Sequence, residues 1–146
     1  MKFIKIDPST LSGRQKEAYN FQKVSAVLAD YGYQTIKLSD DWGGVDFIAQ
    51  HLNGTFFKIQ LKGRLTVHKK YEGKDIWMCF PSEDAWYLYP HDIVLDKLKT
   101  EKRNSIQKTY EEGDGYSFPS LSSELRDMLT DFKITPIAQQ DAAANP

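Results

Sequence analysis

Apolar residues recur at helical intervals along one early stretch of the chain and alternate with polar residues along several later ones. In DPSTLSGRQKEAYNFQKVSAVLADYG, Ala18, Phe21, Val24 and Leu28 fall three or four positions apart. Ser12 and Gln15 have the spacing of a capping box, and Gly32 follows Tyr31 as a stop signal. This pattern predicts an amphipathic helix. Counting back along its apolar stripe from Leu28 through Val24 and Phe21 reaches Glu17, which places a carboxylate at the edge of the inward face. The alternative for Glu17 is an exposed first-turn Glu favoured by the helix dipole.

Alternation predicts a short strand at Phe3 to Ile6 and three more at Tyr33 to Leu38, Val45 to His51 and Thr55 to Thr66. The last two are joined through Asn53-Gly54, a hairpin signal. A two-residue turn would set Asp46 opposite Leu61 and put it on the other face from Gln60 and Lys62. A three-residue loop, Leu52 to Gly54 with Gly54 left-handed, instead places Val45, Phe47 and Ala49 on one face with Phe57, Ile59 and Leu61. Asp46 then lies beside Gln60 on the opposite face, with Lys62 two residues on. The continuous apolar surface favours this register, and a bulge near Asp46 would achieve the same result.

Strands are expected again at Asp75 to Phe80 and Trp86 to Tyr89 around a Pro81-Ser82 turn, followed by a short helix from Asp92 to Lys99 behind Pro90. The polar stretch from Thr100 to Pro119, interrupted by Gly113 and Gly115, predicts a long loop. Ser122 or Ser123 caps a last helix through Leu125, Leu129 and Phe132. Residues 1–137 are expected to form a single domain and 138–146 a flexible tail with nothing to bury.

Composition narrows the classes. The chain has 146 residues, 13% of them aromatic, the mixture of a folded globular protein rather than a disordered one. Its opening lacks the apolar core of a secretory signal and no run is long enough to span a bilayer, so a cytoplasmic location and no membrane partner are expected. Cys79, the one cysteine, sits in the apolar run IWMCF and fits a small core residue better than a nucleophile. His51, His68 and His91 lack the spacing of metal ligands, so surface or turn roles are expected of them. Trp42, ahead of Gly43-Gly44, is expected to pack under its loop, with stacking on an unpaired base as the alternative.

The formal net charge of -1 argues against broad polyanion binding. Its distribution changes that picture. Lys58, Lys62, Arg64, Lys69, Lys70 and Lys74 cluster with only Glu72 opposing them, while acids gather at Glu111, Glu112 and Asp114. Arg64, Lys69 and Lys70 are candidate phosphate contacts, with solvated edge cations as the alternative.

The helix and hairpin together offer Glu17, Asp46, Gln60 and Lys62, the parts of a metal-assisted phosphodiesterase. Magnesium prefers hard oxygen ligands and keeps several waters, so one or two carboxylates with an amide or backbone carbonyl suffice to hold it. Asp46 is the principal candidate ligand, supported by Glu17, the Gln60 amide oxygen and the Leu61 carbonyl. Lys62 is placed to orient or help deprotonate an attacking water and to offset charge on a phosphate.

With Glu17 in a helix, then GGVDFIA, then IQLKGR, residues 12 to 66 resemble the PD-(D/E)XK nuclease superfamily in its Gln-x-Lys form. The resemblance implies an α/β (α+β) fold with a restriction-endonuclease-like core, a mixed sheet with flanking helices. It also implies a Mg²⁺ requirement, with Mn²⁺ as a substitute, and endonucleolytic cleavage of duplex or branched DNA, RNA being the alternative substrate. Cutting both strands of a duplex with one centre per chain would favour a homodimer or homotetramer. No proline precedes Asp46, and no helix is apparent after the Lys62 strand. A catalytically inactive nuclease-fold module that binds nucleic acid or a protein partner is the competing function.

Overall fold

The computed structural model describes residues 1–40, 42–83, 85–101 and 106–136. The C-terminal segment expected to be a tail lies outside these residues, apart from which the chain folds around a mixed sheet. Its first helix, α1 (Gly13–Asp30), begins with the predicted capping box. The Ser12 hydroxyl accepts from the Gln15 amide, and the Gln15 side chain accepts from the Ser12 amide. Two orphan helix donors are satisfied in this way. Gly32, at φ 83°, carries the chain out of the helix.

Six strands follow in the order β1 (Tyr33–Lys37), β2 (Phe47–His51), β3 (Phe56–Leu61), β5 (Ile76–Ser82), β6 (Ala85–Pro90) and β8 (Lys133–Ile134). All neighbours are antiparallel except β3 and β5, which run parallel. Between these two the chain forms β4 (Thr66–His68), which pairs with β7 (Gly115–Ser117) in a separate two-stranded ribbon. No α-helix intervenes there, as the run of basic residues suggested. The helices α2 (His91–Glu101), α3 (Ile106–Gly113) and α4 (Ser123–Met128) complete the described chain. Ser122 supplies the cap of α4, accepting from the Leu125 amide.

Alternation along the strands splits the interior into two cores, one on each face of the sheet. On one face Val24, Val27 and Leu28 of α1 pack with Phe47, Ala49, Ile59, Leu61, Cys79, Trp86 and Leu88. On the other, Met78, Phe80, Tyr87 and Tyr89 pack with Val94, Leu95 and Leu98 of α2, Ile106 and Tyr110 of α3, and Leu125 of α4. The central strands β5 and β6 supply both cores by alternation, Met78, Phe80, Tyr87 and Tyr89 to one and Cys79, Trp86 and Leu88 to the other. Among the described residues no helix is long and apolar enough to cross a membrane.

The hairpin adopts the predicted register. Phe47 faces Ile59 and Ala49 faces Phe57, and the loop closes over Leu52 to Gly54 with Gly54 at φ 92°. Val45 departs from expectation: it joins the α2 core rather than the α1 core that holds Phe47. The Asp46 amide donates to the Ile59 carbonyl at 2.9 Å, although Ile59 pairs with Phe47. Two residues therefore oppose one, the geometry of a β-bulge, and the chain crosses from one face to the other at Asp46.

Other expectations are corrected by tertiary packing. The run Phe3 to Ile6 forms no strand, and Phe3 and Ile4 are exposed, because no strand among the described residues pairs with it. The stretch expected to run on to Thr66 breaks after Leu61, and β4 starts anew beyond Gly63-Arg64. Strand β5 continues through Pro81-Ser82, and the turn falls at Glu83, whose φ is 50°. The supposed loop after Thr100 contains α3 and β7, held by Ile106 and Tyr110, whose side chains lie one helical turn apart and are buried.

Tyr89 ties the main sheet to the ribbon. Its hydroxyl is fully buried, donates to the Thr66 carbonyl at 2.7 Å and accepts from the Thr66 amide at 3.1 Å. Burial pushes its phenol well above the ordinary range. Tyr89→Phe leaves both Thr66 groups without that partner and is expected to destabilise the fold by about 1–3 kcal/mol. Urea denaturation should show a lower midpoint with unchanged slope.

Candidate active site

The site forms where α1 begins, β3 ends and the bulge precedes β2. Glu17, Asp46, Gln60, Leu61 and Lys62 all line one cleft of about 300 Å³, joined by Gly13, Lys16 and Asn20. The five residues predicted to act together are thus brought together. Glu17 is exposed, but it lies beyond the first turn of α1, which holds no acidic residue, so the helix dipole does not account for it; it lines this cleft.

Asp46 is fixed by the backbone of the neighbouring strand. Its Oδ2 accepts from the Leu61 amide at 2.8 Å, while its own carbonyl accepts from the Leu38 amide at 2.9 Å. Leu61 therefore holds Asp46 through its N–H and offers its carbonyl to the same cleft. The Gln60 amide lies against that carbonyl, with Nε2 at 3.4 Å. Lys62 is anchored by its backbone amide to the Cys79 carbonyl of β5 at 2.8 Å. Its ammonium sits over the Tyr71 ring, 5.7 Å from the centroid.

Tyr71 belongs to a short 3-10 turn, Lys69–Tyr71, that follows β4 and is secured at every residue. The His68 side chain caps the turn by accepting from the Lys70 amide at 3.1 Å. Burial, reinforced by the nearby Lys70 ammonium, holds the His68 imidazole below its usual range. Lys69 donates to the Glu111 carbonyl and to Asp114, and Glu72 accepts from the Tyr110 hydroxyl. His91 is buried, contrary to the surface or turn role expected of it. Its Nε2 accepts from the His68 amide at 3.0 Å and its Nδ1 pairs with Asp92 at 2.9 Å, so it serves as a strut between α2 and the ribbon. Burial opposes ionisation of Asp92, but its bonds from His91 and the Gly73 amide hold the carboxyl below the usual range.

The three candidate phosphate contacts part company. Lys70 lines a second cleft, of about 330 Å³, that also contains Asp46, Gln60 and Lys62. Arg64 instead donates to the Ser117 hydroxyl at 2.8 Å, and Lys69 is bound to the acidic turn at the end of α3. Trp42 does not pack under its loop: its side chain is 70% exposed. Cys79 is buried, and burial drives its thiol far above the ordinary range, which makes it a core residue without nucleophilic character.

The residues lining this cleft include Glu17, Asp46, Gln60 and Leu61, whose carboxylate, amide and carbonyl oxygens are the ligand chemistry of Mg²⁺. Among the described residues no three of His, Cys, Asp and Glu cluster closely enough to hold a metal. An ion at this place would complete its shell with amide, carbonyl and water oxygens, as Mg²⁺ does. The donor set therefore fits that ion and not one needing imidazole or thiolate.

No protein-family model matches the sequence, and no curated protein is significantly similar to it. Among solved structures the chain is similar to a bacterial homing endonuclease, I-Ssp6803I, with a TM-score of 0.50 and 16% identity over 84% of this chain and 86% of that one. The fold, a six-stranded mixed sheet with flanking helices, is thus α+β and similar to that of this solved structure.

Gly44 supports the site from below. A Cβ there would stand 2.7 Å from Tyr71 Cε1, and its φ is +88°, whereas Gly43, at φ +66°, has open space. Gly43→Ala should cost only the left-handed penalty of about 1–2 kcal/mol. Gly44→Ala should cost more, because Tyr71 and the Lys62 ammonium above it must move. Denaturation midpoints of the two variants check the order, and equal losses would contradict the packing argument.

Proposed function

We propose that the protein is a Mg²⁺-dependent endonuclease of the PD-(D/E)XK type that hydrolyses phosphodiester bonds in DNA. The observation that carries this reading is the convergence of Glu17, Asp46, Gln60, Leu61 and Lys62 on one cleft, from helix α1 and from the two arms of the β2–β3 hairpin and the residues flanking them. The likeness to a homing endonuclease supports it.

Asp46, Glu17, the Gln60 amide oxygen and the Leu61 carbonyl would hold the ion. When bound, Mg²⁺ supplies positive charge against the phosphate and lowers the pKa of water. The chain's own residues do the rest. Leu61 orients the Asp46 carboxylate through its amide, which removes a freedom that would otherwise be lost on binding. Lys62 presents its ammonium to the phosphate oxygens, offsetting charge that builds as water adds to phosphorus and the bond to the leaving oxygen breaks. Glu17 accepts a hydrogen bond from the attacking water and aligns it. Gln60 contributes an oxygen donor without a negative charge, which leaves more net positive charge on the ion for the phosphate.

One centre per chain cuts one strand, so cleavage of both strands calls for a homodimer or homotetramer with two centres facing the duplex. Supercoiled plasmid, duplex and branched DNA are the substrates to test, with RNA as the comparison. Cutting is expected with Mg²⁺ or Mn²⁺ and not with EDTA, and Lys62→Ala should lower the rate by about 10²- to 10³-fold. DNA binding that is indifferent to Mg²⁺, with no cutting of any substrate by the wild type, would favour the inactive binding module instead.

A further inference from the structure

The cleft holding the five site residues does not stand alone. On one side it shares Glu17 and Asp46 with a cleft of about 510 Å³ that extends to Arg14 and Lys37. On the other it shares Asp46, Gln60 and Lys62 with the cleft of about 330 Å³ that passes Gly43-Gly44 and reaches Lys70 and Lys74. Neighbouring clefts with common walls form one trough, with Asp46 in the lining of all three.

The charges along the trough are arranged for a polyanion. Its cations are Arg14 and Lys37 to one side, Lys16 and Lys62 in the central cleft, and Lys70 and Lys74 to the other. Its acids are Glu17 and Asp46 at the centre and Asp40 beside Lys37. Three of the ammoniums are seated on aromatic rings: Lys37 lies 5.7 Å from the Phe21 centroid, and Lys62 and Lys70 lie 5.7 and 5.0 Å from that of Tyr71. An aromatic face positions a cation without cancelling its charge as a carboxylate would. The neighbouring Lys69, outside the trough, is by contrast paired with Asp114.

We propose that the trough is the track of one DNA strand, with Arg14 and Lys37 holding backbone phosphate on one side of the cut and Lys70 and Lys74 on the other. The proposal rests on the nuclease reading of the same site and adds the strand's path. Anchors on both sides of the centre require a strand that continues in both directions, so cutting is internal and independent of chain ends.

The test is equilibrium binding of the wild-type protein to a fluorescein-labelled duplex in EDTA, followed by anisotropy over a range of salt concentrations. Arg14→Ala/Lys37→Ala and Lys70→Ala/Lys74→Ala are compared with Arg64→Ala/Lys69→Ala, and each variant's fold is checked by thermal unfolding. A duplex contact contributes about 0.9 to the slope of log affinity against log salt. Each trough pair should therefore lower that slope by about 1.8 and weaken binding at physiological salt at least about tenfold, while the Arg64/Lys69 pair leaves both near wild type. An unchanged slope in either trough pair, or an equal loss in the Arg64/Lys69 pair, overturns the track. If the wild type still cuts plasmid with Mg²⁺ in that case, the nuclease reading survives the loss of the track. A wild type that neither binds nor cuts DNA overturns both.

Discussion

The hydrogen bond from the Leu61 amide to the Asp46 carboxylate spans the β2–β3 hairpin, and most of the site depends on the register that makes it possible. Strand faces alternate with a period of two, so a one-residue slip would turn Gln60 and Lys62 toward the α1 core and bring Leu61 to the surface. The three-residue loop ending at Gly54 excludes that slip. The bulge at Asp46 then allows Val45 and Phe47 to enter different cores, so the carboxylate sits where the chain crosses the sheet.

A second constraint comes from the segment between β3 and β5. Two parallel strands side by side need a crossover, and this one is built from a ribbon strand and a 3-10 turn. The buried Tyr89 and His91 hold the crossover against the α2 side, and Tyr71 carries their rigidity to the underside of Lys62. The acidic end of α3, although exposed, reaches this crossover and draws Lys69 away, while Lys70 lines the cleft beside the centre. The cationic run in the sequence is thereby divided into structural and site-facing members.

Local chemistry made part of this legible from sequence. The helix announced itself through Ser12, Gln15 and the apolar stripe, and the hairpin register followed from requiring one continuous apolar face. Glu17 could be placed only by counting back along that stripe. What stayed hidden depended on distant partners. Tyr110 and Ile106 make only one apolar turn, too little to signal α3 without the core that receives it. The Phe3 to Ile6 alternation looks like a strand but finds none to pair with among the described residues. His91 is buried because the His68 amide and Asp92 satisfy both its nitrogens, a match between residues that no spacing rule links. The left-handed Gly44 against Tyr71 is likewise a long-range contact, although two successive glycines before Asp46 did mark a special backbone.

In the proposed function, Asp46, Glu17, Gln60 and Leu61 together hold a divalent ion beside Lys62. Anomalous diffraction from crystals of the protein soaked in Mn²⁺ tests it most directly, because the ion's position is read without reference to activity. The account predicts a peak within coordination distance of the Asp46 carboxylate and the Leu61 carbonyl, lost in Asp46→Asn. A peak elsewhere, or none at Asp46 at saturating Mn²⁺, would contradict it.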